Sequence, residues 1–176
     1  MSLLAEVARR LRSAEIRCAL IGGEALALRA ASRSTLDRDL LTTDRRSLDA
    51  ALWRPLIDAG IRCDVRHGDP EDPLAGVVRI TAAGERPVDL IVGRHAWQTR
   101  IVERSEMLDL GDVVLPVPSA SDLILLKLFA GGGQDVWDVL QLLAGGNRDD
   151  LIAAVELRLD DLPNEARQLW RRALAG

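Results

Sequence analysis

The sequence predicts a mixed α/β fold, with a mixed β-sheet in the first two thirds of the chain and a helical bundle in the last third. Because the sheet and the bundle occupy separate parts of the chain, the fold can also be described as α+β. Short apolar runs that suit strands alternate with helical patterns up to about residue 116. The turn 83–86 joins two strand-like arms, which is typical of a hairpin. We therefore assign 1–116 to an α/β core and 117–176 to a helical region packed on it, within one compact domain.

Turn residues and helix caps delimit the elements of the first part. Leucine and alanine at helical spacing favour the first helix, and Asp44 is a suitable N-cap for a helix that Gly60 ends. The elements expected here are a helix over 2–14, a strand over 17–21, a short helix over 24–32, a strand over 36–42 and a helix over 45–58.

A loop rich in Pro and Asp over 68–73 and the hairpin signal organise the middle of the chain. Ser119 is a suitable cap for the first helix of the bundle, and the glycine run 131–133 ends that helix. The elements expected are strands over 61–66, 76–82 and 87–92, a helix over 95–104, a small hairpin over 106–109 and 112–116, and helices over 119–130, 135–144, 149–158 and 163–174.

Two acids in the strand over 36–42 are spaced for metal binding. Side chains two residues apart on a strand share a face, so Asp37 and Asp39 project together. Neighbouring carboxylates repel one another unless a cation lies between them, and Mg²⁺ prefers oxygen ligands shared with phosphates. Such a pair also occurs often by chance, without any metal.

The glycine pair Gly22-Gly23 lies between the strand over 17–21 and the next helix. Backbone without Cβ can approach a phosphate closely, and a helix beginning there directs N–H groups at the anion. Arg33 and Thr35 precede the acids and offer further donors to the phosphates. The simpler alternative is that the glycine pair is only a turn.

Asp89 interrupts the apolar strand Val88-Asp89-Leu90-Ile91-Val92. A carboxylate there is costly unless it is paired or binds a metal. A third acid is needed to deprotonate an attacking hydroxyl or to hold a second metal, and Asp89 is the best candidate. Alternatively, Asp89 caps a strand end or pairs with an arginine.

The order of these motifs resembles the nucleotidyltransferase superfamily, with its polymerase-beta-like fold. The pattern is most similar to the small AbiEii-type nucleotidyltransferase-like proteins of bacterial toxin–antitoxin systems. The resemblance covers roughly residues 15–145. The matching segments are Gly22-Gly23-Glu24-Ala25, Arg33 to Asp39, Asp89, Val117-Pro118, Asp122 to Leu128 and Asp135 to Leu140.

The resemblance implies transfer of a nucleoside monophosphate from an NTP to an acceptor hydroxyl, on a tRNA end or a small molecule. It implies Mg²⁺ (or Mn²⁺) held by Asp37, Asp39 and Asp89, and a triphosphate positioned by Gly22, Gly23, Arg33, Thr35 and Lys127. Lys127 would then point into a cleft facing the glycine turn, and its replacement would weaken NTP binding with little loss of stability. Otherwise Lys127 extends to water along its apolar helix.

Three departures from the family pattern favour an alternative function. Glu24 places a negative charge near the phosphates, Arg38 stands between the two acids, and the stretch 131–134 lacks basic residues. Strand alternation sends Arg38 away from Asp37 and Asp39, where it needs an acidic partner or an exposed edge. The alternative is a catalytically inactive nucleotidyltransferase-like module that binds a nucleotide or a partner protein.

Composition excludes several classes of protein. The 176 residues are 48% hydrophobic with a net charge of −4, which argues against disorder and against a global nucleic-acid footprint. A local basic patch at Arg94, His95, Arg100 and Arg104 is either an RNA contact or, more simply, a solvated helix face. Cys18 and Cys63 are expected to be buried, reduced thiols of a cytoplasmic protein, and no membrane span is expected.

Overall fold

The computed structural model describes residues 2–29 and 38–175. These residues divide into two compact units: 2–24 with 38–118, and 25–29 with 119–175. Arg33, Thr35 and Asp37 lie outside the described residues, so the roles expected for them stay predictions. None of the helices in the described part of the chain has the length and apolar character that a membrane crossing requires.

The first unit contains most of the strands. In chain order its elements are α1 (Leu3–Ser13), β1 (Ala19–Ile21), the start of α2 (Gly22–Arg29), β2 (Arg38–Thr42), α3 (Arg54–Asp58), β3 (Arg62–His67), β4 (Leu74–Thr81), β5 (Val88–Gly93), α4 (Ala96–Arg104), β6 (Glu106–Asp109) and β7 (Val114–Val117). The described residues form a five-stranded sheet in the order β1-β2-β5-β4-β3 and a two-stranded sheet of β6 and β7. The mixed α/β fold is therefore confirmed.

The pairing of the central strands places the candidate acids. β2 runs parallel to β5, whereas β1–β2, β5–β4 and β4–β3 are antiparallel pairs. The predicted hairpin of β4 and β5 is thus confirmed. Apolar side chains alternate along β4 and β5, with Val78, Ile80 and Leu90 fully buried and the residues between them partly exposed. One face of these strands is therefore core, and the other is open to a ligand.

The expectation of one helix over 45–58 is wrong. Two 3₁₀ turns, Arg45–Leu48 and Ala50–Trp53, precede α3. The backbone is extended at Asp49, whose carboxylate accepts a hydrogen bond from the Ala51 N–H and so starts a new turn. Trp53 is completely buried, and its indole N–H donates to the Ser47 carbonyl at 2.9 Å. Burial of this large side chain stabilises the tighter turns over a regular helix.

The second unit is helical, as expected. Its elements after the end of α2 are α5 (Ala120–Ala130), α6 (Gly133–Gly145), α7 (Arg148–Glu156) and α8 (Asn164–Ala175), with a 3₁₀ turn at Leu159–Asp161. Ser119 caps α5 by accepting from the Asp122 N–H, and Gly131 ends it with a left-handed φ of 72°. α5 and α6 contact each other, and each also contacts α7 and α8, so this pair of helices forms the centre of the bundle.

Candidate active site on the open face of the sheet

The turn after β1 touches the first candidate acid. Gly22 opens α2 with a φ of 68°, in the left-handed region that favours glycine. A Cβ at Gly22 would lie 2.0 Å from the Asp39 Oδ2 atom, far inside van der Waals contact. Only glycine fits there, because any side chain would displace the carboxylate. The glycine turn and Asp39, predicted separately from the sequence, are therefore adjacent in space.

Asp39 and Asp89 lie opposite one another on neighbouring strands. The two residues are partners in the parallel register of β2 and β5. Residues paired in this way project to the same sheet face, and at ordinary strand spacing their Cα atoms are about 5 Å apart. Both side chains are only partly exposed. The structure thus brings together two of the three predicted acids, beside the glycine turn.

Asp89 also has a partner within the sheet. Its Oδ2 atom accepts a hydrogen bond from Arg79 Nη1 at 2.8 Å, and Arg79 is its register partner on β4. The side chain of Asp89 is 18% exposed and that of Arg79 is 42% exposed. An arginine pair was one of the two alternatives for Asp89, and it is present. The pair compensates the charge of Asp89 and leaves the Arg79 side chain partly accessible from solvent.

The carboxylates on this face fit part of a divalent-cation site. Asp39 and Asp89 supply oxygen atoms, which Mg²⁺ and Mn²⁺ prefer, and they converge across one strand pair. Among residues 2–29 and 38–175, no three His, Cys, Asp or Glu side chains group to hold a metal ion. The third predicted ligand, Asp37, is outside these ranges. Asp39 and Asp89 are therefore the two predicted metal ligands that lie within the described residues.

Two of the departures from the family pattern offset each other. Arg38 Nε lies 3.3 Å from Glu24 Oε2, and Arg86 Nη1 lies 3.8 Å from Glu24 Oε1. Arg38 pairs in register with the buried Val88, on the face opposite Asp39. Arg38 thus faces away from Asp39, as expected, and of the two alternatives for its side chain it has the acidic partner; the expectation for Asp37 lies outside the described residues. The charge of Glu24 is thus neutralised at the start of α2.

Lys127 is held by two acids of the next helix. Its Nζ atom lies 2.8 Å from Asp135 Oδ1 and 2.8 Å from Asp138 Oδ2, and Asp138 is fully buried. Burial alone would lower the pKa of Lys127, but hydrogen bonds and charge attraction from the two carboxylates outweigh it and raise the pKa above its usual range. Lys127 is the sole lysine of the chain. The sequence argument considered water or phosphate for Lys127 and missed this ion pair.

The basic patch suggested by the sequence is partly structural. The Arg94 guanidinium donates to three backbone carbonyls of the β3–β4 loop: Asp69 at 2.8 Å, Pro70 at 2.8 Å and Leu74 at 2.5 Å. His95 is the N-cap residue of α4, and its ring stacks on Trp97. Arg94 therefore holds the β3–β4 loop in place through these hydrogen bonds.

Cys18 and Cys63 are both free thiols, but only Cys18 is buried. Burial raises the pKa of Cys18 to about 11, with a small opposing effect of Arg12. Burial, together with the charge of Asp64, also raises the pKa of Cys63 to about 11. The expectation of reduced thiols agrees with this geometry, whereas Cys63 is more accessible than expected.

Comparison with known proteins shows the fold. No family model matches the chain, and no curated protein matches it. The crystal structure of ANT(2″)-Ia in complex with adenylyl-2″-tobramycin superposes with a TM-score of 0.57 at 16% identity, over 89% of this chain and 97% of that one. An antigenic nucleotidyltransferase-like protein from Paracoccidioides brasiliensis superposes with a TM-score of 0.51 at 18% identity, over 95% of this chain and 90% of that one.

The architecture is therefore that of the nucleotidyltransferases. A solution structure of the antibiotic-resistance factor ANT(2″)-Ia agrees, with a TM-score of 0.50 at 15% identity over 90% of this chain and 91% of that one. The three structures share the fold with this chain at identities that carry no further conclusion about its reaction.

Proposed function

We propose that this chain is a nucleotidyltransferase that moves a nucleoside monophosphate from an NTP to an acceptor hydroxyl. The observation that carries the proposal is the contact of the Gly22 turn with Asp39, whose register partner is Asp89. A backbone turn able to approach phosphate and two facing carboxylates are the parts that metal-assisted phosphoryl transfer requires. The nucleotidyltransferase fold supports the same reaction.

The site residues have separate roles in this proposal. Asp37, Asp39 and Asp89 would hold a divalent cation, Mg²⁺ or Mn²⁺. Gly22, Gly23, Arg33 and Thr35 would position the triphosphate, whereas Lys127, which the sequence argument also assigned to this role, pairs with Asp135 and Asp138. The cation would supply neutralisation of phosphate charge. Most of the rate enhancement then comes from holding the reactants in line, as in phosphoryl transfer generally.

Asp89 would act on the acceptor. In the proposed step the acceptor oxygen forms a bond to the α-phosphorus while the bond from that phosphorus to the bridging oxygen breaks. Pyrophosphate leaves with the electron pair, and the hydroxyl proton passes to the Asp89 carboxylate. Arg79, which donates a hydrogen bond to Asp89 at 2.8 Å, would orient that carboxylate before the proton arrives.

Two classes of acceptor, a small-molecule hydroxyl and a tRNA end, are compatible with this reaction. In ANT(2″)-Ia the structure holds adenylyl-2″-tobramycin, which favours a small-molecule hydroxyl by analogy. The motif resemblance to AbiEii-type proteins favours a tRNA end and a role, with a partner protein, in a toxin–antitoxin pair. Both acceptors fit the same reaction, so a single assay can separate them.

Labelled NTPs test the reaction directly. Purified protein is incubated with Mg²⁺ and each α-³²P-labelled NTP, with total RNA and with a panel of small hydroxyl compounds, and labelled product is measured. We expect transfer that Asp39→Asn lowers by about a hundredfold or more, since the loss of a metal-binding charge costs several kcal/mol of barrier. Asp64→Asn, on the same sheet face but paired with Arg62, is the matched control and keeps activity.

The Arg79–Asp89 pair also favours a second candidate, a non-catalytic module. An arginine bonded to the third carboxylate supplies the charge that a metal would otherwise supply. The chain would then bind a nucleotide or a partner protein without turnover. ATP binding with no labelled product from any NTP, RNA or small molecule would support this candidate and exclude the enzyme.

A further inference from the structure

We infer that a cavity beside Asp89 is an acceptor site for an anionic small molecule that carries a hydroxyl group. This inference rests on the proposed nucleotidyl transfer and names its substrate class. The cavity has a volume of about 470 Å³ and lies wholly within the first unit. Its polar walls are Arg66, His67, Asp72, Arg79 and Asp89. The candidate proton acceptor of the reaction is thus part of the cavity wall.

The strand register sets how far the cavity reaches from Asp89. Asp89 pairs with Arg79, and Arg66 pairs with Val77, two residues along β4 on the same open face. At ordinary strand spacing and rise, the Cα atoms of Asp89 and Arg66 are about 12 Å apart. A molecule with its hydroxyl at Asp89 and its charged group at Arg66 therefore has the length of a sugar phosphate or a similar compound.

The outer wall of the cavity is a fixed loop. Arg94 donates three hydrogen bonds to carbonyls between Asp69 and Leu74. The Asp72 carboxylate accepts from the Asp69 N–H at 2.7 Å, and the Gly68 N–H donates to the Ala75 carbonyl at 2.9 Å. A loop with so many internal bonds keeps its shape before a ligand arrives, which lowers the entropy cost of binding.

The charges around the cavity favour an anion. Arg79 and Asp89 are bonded to each other, and Asp72 accepts a backbone N–H at the loop. Within residues 2–29 and 38–175, Arg66 and His67 are engaged in no side-chain hydrogen bond or ion pair. Their donors are therefore available to a ligand. A guanidinium beside an imidazole suits a phosphate or carboxylate group, which the arginine can bind in bidentate fashion.

The volume decides between a small molecule and RNA. Cavities of roughly 300–1,000 Å³ enclose small ligands, whereas single-stranded RNA is bound along extended basic grooves with aromatic platforms. The net charge of −4 and the binding of Arg94 to carbonyls of its own chain both favour the small molecule over RNA. The anionic small molecule is therefore favoured as acceptor.

Histidine NMR gives a test that does not depend on turnover. The chain has two histidines, so ring ¹H–¹³C spectra contain His67 and His95 only, and His67→Gln assigns them. The protein is titrated with neutral compounds and with their anionic counterparts. Glycerol is compared with glycerol 3-phosphate, and glucose is compared with glucose 6-phosphate and with glucuronate. We expect the anionic compounds to shift the His67 signals and to leave the His95 signals unchanged. The neutral compounds should shift neither. The phosphate and glucuronate arms distinguish the two anionic groups.

Arg66→Gln and Arg62→Gln form the matched pair of variants. Both arginines lie on β3, but Arg62 is bonded to Asp64 and is outside the cavity wall. We expect Arg66→Gln to weaken binding of the anionic compounds about tenfold or more, and Arg62→Gln to change it less than twofold. An unmoved His67 signal at all concentrations, or equal loss in both variants, overturns the site.

Labelled transfer separates this inference from the proposed function. Transfer from α-³²P-labelled ATP to an anionic compound that also shifts His67 supports both. A His67 shift with no labelled product from any acceptor overturns the acceptor role and the enzyme together, while the anion site stands. Labelled product on a neutral compound or on RNA, with no His67 shift, overturns the cavity assignment and leaves nucleotidyl transfer intact.

Discussion

At the residue scale, the contact between Gly22 and Asp39 is the feature on which the site depends. The absence of a Cβ at Gly22 leaves room for the Asp39 carboxylate, which a methyl group would approach within 2.0 Å. The sequence could predict that both residues matter, since a glycine pair after a strand and an acid pair in the next strand are visible in it. Their direct contact could not be predicted, because it depends on the β1–β2 register.

Gly22→Ala tests that contact, with Gly84→Ala as its control. Both glycines have positive φ, 68° and 76°, but nothing lies within 4 Å of a Cβ at Gly84. Each change should lower the free energy of unfolding by about 1–2 kcal/mol, the cost of a left-handed residue with a side chain, and Gly22→Ala should cost more than Gly84→Ala because its Cβ meets the Asp39 carboxylate. Only Gly22→Ala should also abolish metal-dependent nucleotide binding, measured by calorimetry. Equal nucleotide affinity in the two variants would show that Asp39 is not in the site.

The partners of the charged residues were harder to foresee. Alternation along β2 predicted that Arg38 faces away from Asp39, but its partner, Glu24, lies across the start of α2. Arg79 was not singled out at all, because nothing in one strand reveals which residue of the next strand faces it. The role of Arg94 depends similarly on three carbonyls of a loop 20 or more residues earlier in the chain.

At the element scale, α5 and α6 are joined by the cluster of Lys127, Asp135 and Asp138. Helical spacing and caps predicted both helices, since Ser119 starts α5 and Gly131 ends it. Asp135 also accepts from the Gly132 N–H at 3.0 Å, so one carboxylate caps α6 and binds Lys127. The cluster therefore links the end of one helix to the start of the next.

Lys127→Met should destabilise the second unit. The earlier expectation of little stability loss is revised, because the change leaves the fully buried Asp138 without this cation. Breaking a buried pair in this way costs about 3–5 kcal/mol in the free energy of unfolding. Arg54→Met, which removes a solvent-exposed pair with Asp58, should cost less than about 1 kcal/mol. Equal losses in chemical denaturation of the two variants would refute the assignment of Lys127 as a structural cation.

The pH dependence of this cluster has a definite sign. The folded pKa of Lys127 is raised above 10.5, so its contribution to stability is complete below about pH 10.5 and is lost as the pH rises through the folded pKa. Lysine labelled with ¹³C at Cε gives one side-chain signal in this chain. We expect its titration midpoint above 10.5, and a lower midpoint in Asp135→Asn. A midpoint below 10.5 in the wild-type protein would mean that burial dominates over the carboxylates.

The failure of the helix predicted over 45–58 has a local cause. The pattern contained a second cap, Asp49, five residues before Arg54, where α3 begins. The sequence alone does not show that two short turns are more stable here than one long helix, because that difference depends on the burial of Trp53. Tertiary packing therefore overrides the local helical pattern here.

At the scale of the whole molecule, the fold class could be predicted and the sheet order could not. Apolar periodicity, the hairpin signal and the helical last third indicate the mixed α/β fold, and the structure confirms it. The placement of β5 between β2 and β4, which brings Asp89 beside Asp39, follows from packing of the complete sheet. The metal and nucleotide roles of Asp39, Asp89 and the glycine turn stay predictions, as do those of Asp37, Arg33 and Thr35.

Magnesium-dependent ATP binding tests the central claim, that the Gly22 turn, Asp39 and Asp89 form one metal–nucleotide site. Calorimetric titrations of ATP with Mg²⁺ and with EDTA are compared for the wild-type protein, Asp39→Asn and Asp64→Asn. The account predicts that Mg²⁺ tightens ATP binding to the wild-type protein and to Asp64→Asn, and that Asp39→Asn loses this increment. ATP affinity that is independent of Mg²⁺, or an Asp39→Asn variant that binds Mg²⁺ and ATP as the wild-type protein does, would contradict it.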